Sequence, residues 1–298
     1  MKKILFYTQN RWAFGSIHHG LIKRLYAHGL YCNLLDWTLP TTYIEFHLLN
    51  EIYDLFMTTP EAVANLVGLG IPLSKIVCVA HCERDITLAA KNLGTEFYSQ
   101  LAGMGVVCEP LVAVCAAAGI SRTPVVVKVG IDFDLFYAPP AAELRNVGYA
   151  GEMTFRASSG EEIKRPELCQ QAATAAKITL KVHEFYNYLC MPAYYRTVDA
   201  LLMSSSYETA GLPIMEAAAA GRLCIGTPAG YFGENALKGG GILCPMEPAL
   251  FVKSAAEALS FYAADAVAYR AKCVDIQEFA RQHYDWAHVL EPWVELLS

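Results

Sequence analysis

The chain begins with a five-residue apolar run, Ile4 to Thr8, then a polar stretch from Gln9 to Ser16, then apolar residues at helical spacing from Ile17 to His28, closed by Gly29. A short unbroken apolar run predicts a strand buried on both faces, and a spacing of three to four predicts an amphipathic helix. The same alternation continues. Tyr31 to Trp37, Asp54 to Thr58 and Ile76 to Ala80 read as strands, Pro60 to Leu69 as helical, Gly105 to Cys108 as a short strand, the segment through Ala118 as a helix and Val125 to Val129 as a strand. Strands alternating with helices predict a parallel α/β sheet.

Pro139 to Asn146 is rich in Pro and Ala and reads as a linker, after which a second series begins at Val147-Gly-Tyr-Ala-Gly151. Ile178 to His183, Val198 to Ser204, Leu223 to Thr227 and Gly241 to Cys244 are the strand candidates that follow. Glu247 to Tyr262 reads as an Ala-rich helix, and the pattern stays helical from Asp265 onward. The expected organisation is a first α/β domain over 1–138, a linker over 139–146, and a second α/β domain over 147–275.

Composition narrows the function classes. The 298 residues are 54% hydrophobic and 17% charged, enough apolar material for two cores. A formal charge of −6 exerts no overall pull toward nucleic acid or an anionic bilayer, so a nucleic-acid acceptor is disfavoured though not excluded. The ten cysteines include no Cys-x-x-Cys pair and sit mostly in apolar runs, which reads as buried thiols. Cys78, His81 and Cys82 lie close together but lack a further zinc ligand. No run has the length of a membrane span, and the apolar core after Met1 is too short for a signal peptide; a soluble, cytoplasmic protein is expected.

The chemistry concentrates in Ser204-Ser-Ser-Tyr-Glu-Thr-Ala-Gly-Leu-Pro-Ile-Met-Glu-Ala-Ala-Ala-Ala-Gly221. Pro213 suits a first helical position, the alanines favour helix, and Gly221 suits a left-handed end, which predicts a helix from Pro213 to Ala220 capped at Leu212. Leu212 has no side-chain acceptor, so the amides near Gly211 and Leu212 are free to meet an anion such as phosphate. Glu208 and Glu216 bracket this turn, with seven residues between them.

This stretch closely resembles the E-x7-E signature of retaining glycosyltransferases of family 4, whose architecture is GT-B: two Rossmann-like domains with a cleft between them. Met191-Pro-Ala-Tyr-Tyr-Arg-Thr-Val-Asp199, Thr227-Pro-Ala-Gly-Tyr-Phe-Gly-Glu-Asn235, Gly130-Ile-Asp-Phe-Asp-Leu-Phe136 and Tyr284-Asp-Trp286 resemble further elements of that family. The resemblance implies transfer of a sugar from a nucleoside diphosphate sugar to an acceptor hydroxyl, with no cofactor and no metal. Asp132 and Asp134 then belong to the interdomain crossing, and 276–298 is the helical segment that returns to the first domain.

By the same resemblance Glu208 faces the donor sugar, Glu216 accepts from the ribose hydroxyls, and Thr209, Ala210, Gly211 and Leu212 border the donor. Lys164 matches the lysine that neutralises the diphosphate. The arginine expected after Gly151 is replaced by Glu152, and Arg156 is the candidate substitute. His81, at the end of the fourth strand, corresponds to the histidine that faces the transferred sugar. Gly15 stands alone in the first loop, where relatives carry glycines against the donor. A GT-B epimerase or hydrolase, or a non-catalytic sugar-nucleotide-binding protein, is the alternative. Acceptor choice is expected to lie in the loops Thr38 to Asn50 and Glu83 to Gln100.

Overall fold

The computed structural model describes residues 1–10, 12–39, 45–153, 162–184 and 187–298, and of Trp12 only the backbone. They form two compact α/β units, Met1–Gly130 with Trp286–Ser298, and Ile131–Asp285.

The first unit is built on β1 (Lys2–Thr8), β2 (Leu30–Asp36), β3 (Leu55–Thr58), β4 (Ile76–Ala80), β5 (Gly103–Val106) and β6 (Val125–Val126). They form one parallel sheet in the order β2-β1-β3-β4-β5-β6. Helices on the crossovers cover it, so Ile4, Leu5, Phe6, Tyr7 and Thr8 are all buried, as an apolar strand in such a sheet must be. After β1 the chain steps to β2 on one side and then to β3 on the other. That reversal of order, between β1 and β3, is where an open parallel sheet leaves a crevice beyond its carboxyl ends. The terminal segment Trp286–Ser298 belongs to this unit: Trp286 and Trp293 are buried, and Trp293 Nε1 donates to the Lys128 carbonyl at 2.8 Å.

The second unit contains β7 (Asn146–Ala150), β8 (Thr179–His183), β9 (Ala200–Met203), β10 (Leu223–Gly226) and β11 (Ile242–Leu243), in the parallel order β11-β10-β9-β7-β8. Its order reverses between β7 and β9. Long helices Pro248–Ala264 and Ala266–His283 follow, N-capped by the carboxylates of Glu247 and Asp265 as their sequences require.

Several expectations shift. The first helix begins at Trp12, before the expected Ile17, so Gly15 lies within its first turn instead of a loop. The crossing between units falls at Gly130/Ile131 and the return at Asp285/Trp286, so 131–138 and 276–285 pack with the second unit. The expected linker is part of that unit's fabric: the Pro139 carbonyl accepts from Arg222 at 3.3 Å, the Ala138 carbonyl accepts from Gln277 at 2.7 Å, and Asn146 already belongs to β7. Within the two expected acceptor loops, 46–52, 83–93 and 97–100 are helical, while 40–44 lie outside the described residues. All ten cysteines are free thiols.

Candidate functional site

The key helix of the second unit runs Leu212–Ala219, one residue earlier at each end than its sequence predicts. Its cap is Gly211, at φ +76, a conformation that side chains resist, with the Met203 sulfur 3.2 Å from where a Cβ would stand. Pro213 sits in the first turn, no side chain caps the N-terminus, and Gly221 takes φ +68 just past the end. The positive end of the helix is therefore left for another acceptor.

Glu208 lies in the loop between β9 and this helix, beyond the carboxyl end of the strand beside the order reversal. Its Oε1 accepts from the Lys164 ammonium and from Ser205 Oγ at 2.7 Å. Two residues placed near one donor by their sequence context are thus brought together as an ion pair, with Glu208 14% and Lys164 35% exposed. Thr209 and Ala210 continue the loop, half-buried. Gly230, at φ +60, packs so closely against them that an added Cβ would lie 3.0 Å from the Glu208 Cβ and the Thr209 carbonyl.

Glu216 has a different setting. It is 4% exposed, and its Oε2 accepts from the hydroxyl of Tyr195, itself fully buried, at 2.8 Å. Burial, then the Glu216 carboxylate, pushes the Tyr195 phenol well above its usual range, so it remains a donor at all ordinary pH.

The position of Lys164 is fixed by the loop that follows β9. Ser204 Oγ donates at 2.9 Å to the Lys164 carbonyl and at 2.7 Å to that of Arg165, and the Ser206 amide donates to Ile163 at 2.7 Å. Arg165 stands at φ +47, unusual for a residue with a side chain, and its guanidinium donates to the carbonyls of Ser204 at 2.7 Å and Met246 at 2.9 Å. Those bonds make it a clamp on the loop. Arg156, the proposed substitute arginine, lies outside the described residues; Glu152 is half-buried just beyond β7.

His81 follows β4 in the first unit. Its backbone amide donates to Asp85 Oδ2 at 2.8 Å, and the same carboxylate holds Cys82 through its amide at 3.1 Å and its thiol at 3.0 Å. This is a capping box with cysteine in the usual serine position, opening the Glu83–Leu93 helix. It explains the Cys82 thiol without a metal, and among the described residues no group of three or more His, Cys, Asp or Glu could hold one. Burial depresses the His81 imidazole to about 4, opposed in part by Asp85, so the ring is neutral at pH 7.

Sequence reasoning missed Ser205, Tyr195, Arg165 as a clamp, and Tyr149. The Tyr149 hydroxyl is buried at the carboxyl end of β7 without a hydrogen-bond partner, beside Gly151. Ser205 and Tyr195 had a readable signal in hindsight, lying next to quoted motif residues. Tyr149 had none, because strand periodicity does not separate a packing phenol from a functional one.

Residues 144–260 match the family described as glycosyl transferases group 1. None of the curated protein sequences matches the chain. Among solved structures, Anabaena HepE in complex with UDP and glucose superposes with a TM-score of 0.69 at 17% identity, covering 100% of this chain and 99% of that one. Sucrose-phosphate synthase from Thermosynechococcus elongatus gives 0.68 at 13% identity, covering 99% and 98%. A glycosyltransferase from Rickettsia africae ESF-5 gives 0.66 at 12% identity, covering 99% and 97%. The architecture of two parallel-sheet α/β domains is accordingly that of GT-B glycosyltransferase structures, with a glycosyl transferases group 1 match lying within the second of them.

Proposed function

We propose that this protein is a retaining glycosyltransferase of the family 4 type, moving a sugar from a nucleoside diphosphate sugar to an acceptor hydroxyl without a metal ion. The observation that carries the reading is the Lys164–Glu208–Ser205 cluster beside the uncapped N-terminus of the Leu212–Ala219 helix, within the matched segment.

A diphosphate at that N-terminus meets free amides and the positive end of the helix dipole. The Lys164 ammonium has three N–H donors, so it can stay on Glu208 and still donate to a phosphate oxygen. Negative charge grows on the leaving diphosphate in the transition state, and a fixed cation and helix end lower the barrier there. The remaining oxygen of Glu208 faces the positive charge that develops at the sugar ring. Glu216, held by Tyr195, is assigned to the ribose. Arg156 is assigned as a second cation, and His81 to the transferred sugar.

In the frontside route, the bond from the anomeric carbon to the diphosphate oxygen breaks with its electron pair on the phosphate. The acceptor oxygen bonds to the same face of that carbon, and the acceptor proton passes to the departing phosphate oxygen. Configuration is retained and every charge is accounted for. A cytoplasmic location belongs to the same proposal; no helix among the described residues is long and apolar enough to cross a membrane.

The test is calorimetry with nucleoside diphosphates, then nucleotide sugars, UDP and UDP-glucose first because HepE structures hold them, followed by product analysis with and without an acceptor. Saturable diphosphate binding and acceptor-dependent release of the nucleotide, with the product's anomeric configuration unchanged and turnover unaffected by chelator, are expected. Free sugar or an isomer formed without acceptor would point to a hydrolase or epimerase. Binding with no turnover would leave a sugar-nucleotide-binding protein.

A further inference from the structure

The Ala266–His283 helix is apolar on two sides, and only one of them is covered. Tyr269, Cys273, Ile276, Gln277, Phe279 and Ala280 are buried within the second unit. With about 100° of turn per residue, Val267, Ala271 and Val274 fall on the opposite side of the helix. All three are exposed, Val267 at 82% and Val274 at 48%. A single exposed apolar residue is ordinary, but the outward side of a surface helix is normally polar along its length. Spaced four and then three apart, these residues take the d, a and d places of a heptad, the pattern of a helix that pairs with another helix.

A shallow groove of about 550 Å³ runs along this stripe, with Ala142 of the neighbouring segment as its other wall. Side-chain size sets how closely two helices pack, and the small side chains of Ala142 and Ala271 leave room for close approach. Glu278, next in line on the stripe, is held by Arg281 of its own helix at 3.6 Å, so the apolar seam covers about two turns and ends there.

The charges beside the seam decide what can cover it. Arg270 and Asp275 line the same groove, both are exposed, and neither has an ion-pair partner among the described residues. Five positions apart, they stand about 140° from each other round the helix, on opposite flanks of the stripe, and cannot pair within one chain. Their offset is that of a g position and the following e position, which face each other across a parallel two-stranded coil. About a two-fold axis along the helices, each flank meets the opposite flank of the copy, so arginine meets aspartate twice. In an antiparallel pair each flank meets its own kind, arginine against arginine. The surface is therefore complementary to itself in one orientation.

We propose that the outward side of the Ala266–His283 helix is an interface with a second copy of this chain, the two helices packing in parallel with Arg270 of each facing Asp275 of the other. The interface does not depend on the sugar-transfer reading.

Sedimentation velocity on the full-length chain, over a micromolar concentration series, tests it. The parent is expected to pass from the mass of one chain to that of two as concentration rises. Arg270→Glu and Asp275→Arg each set like charges against one another across the interface, and each should weaken self-association at least about tenfold. Val274→Asp, which places a charge in the seam itself, should do the same. The chain carrying both charge substitutions exchanges the pair and should self-associate like the parent. An equal mixture of the two single variants should also form dimers, because one then presents two negative charges and the other two positive ones. Every substituted residue is exposed in the single chain, so melting temperatures at low concentration should match the parent's. A parent that keeps the mass of one chain throughout the series overturns the proposal. So does a dimer that survives Arg270→Glu and Asp275→Arg taken singly, because another face is then doing the pairing. Failure of both the mixture and the double variant to associate overturns it as well.

Discussion

The two sheets reverse their strand order in the same way, yet the groups gathered at the two reversals are opposite in kind. In the second unit, beside β7 and β9, the side chains are ionic and already engaged: Lys164 with Glu208, Ser205 with Glu208, Tyr195 with Glu216. In the first, beyond the carboxyl ends of β1, β3 and β4, they are neutral, and Thr8 Oγ1, Thr59 Oγ1 and His81 Nε2 are buried without a hydrogen-bond partner. The Lys164 ammonium can keep Glu208 and still meet a diphosphate, because it has donors to spare. The difference is one of chemistry: charge paired with charge at one reversal, neutral hydroxyls and imidazoles at the other.

Substitution at the ionic reversal should have the largest effect. Glu208→Gln keeps the shape and removes the charge that the proposed mechanism sets against the developing positive sugar, and turnover should fall roughly 10²–10³-fold, the usual cost of one electrostatic stabiliser. Lys164→Ala should lower affinity for UDP while leaving uridine binding unchanged. Steady-state kinetics and calorimetry on the two variants check the division, and equal loss of uridine and UDP affinity would break it.

Much of this was legible because it is periodic or local. Buried parallel strands are unbroken apolar runs, so β1 to β4 and β7 to β10 fall within a residue or two of where the hydrophobic pattern puts them. The Leu212–Ala219 helix announces itself through Pro213, the alanines and Gly221. What periodicity does not encode is a bond between residues far apart in sequence. Ser204 fixes the backbone of Lys164 and Arg165 across roughly forty residues, and no local pattern foretells it. The Pro- and Ala-rich segment 139–146 looks like a linker by composition but is held by Arg222 and Gln277, whose partners lie far along the chain. The cluster at the first reversal was hidden for a related reason, since Thr8 and Thr59 read as ordinary strand ends until the register sets them side by side.

Arg165 sharpens the comparison next, because it separates support from chemistry within the ionic region. As a clamp on Ser204 and Met246 it should matter to the fold: Arg165→Ala removes three bonds from a charged donor, two of them to carbonyls and one to the Met246 sulfur, a loss of about 2–3 kcal/mol. Chemical denaturation should register that loss, while the folded fraction binds UDP as the parent does. A variant of full stability and weakened UDP affinity would move Arg165 into the donor site. Tyr195→Phe should cost a little less, about 1.5–2 kcal/mol, by depriving the buried Glu216 carboxylate of one donor.

The smallest expected effect concerns the neutral reversal and pH. Burial lowers the His81 imidazole to about 4 from its ordinary 6.5. Between those values the unfolded chain binds a proton that the folded chain refuses, so stability rises with pH across that window and falls as pH drops through it. From pH 7 to pH 5 this imidazole alone accounts for a loss on the order of 1–2 kcal/mol. His18, also lowered by burial, acts in the same direction. His18→Phe keeps an aromatic ring between Phe6 and Phe14 and removes one of the two titrating groups, so its melting temperature should fall less between pH 7 and pH 5 than the parent's. Thermal melts of both proteins across that range decide the point: identical pH profiles would mean that His18 is not a neutral, buried imidazole in the folded chain, and the contrast between the two reversals would lose its chemical basis.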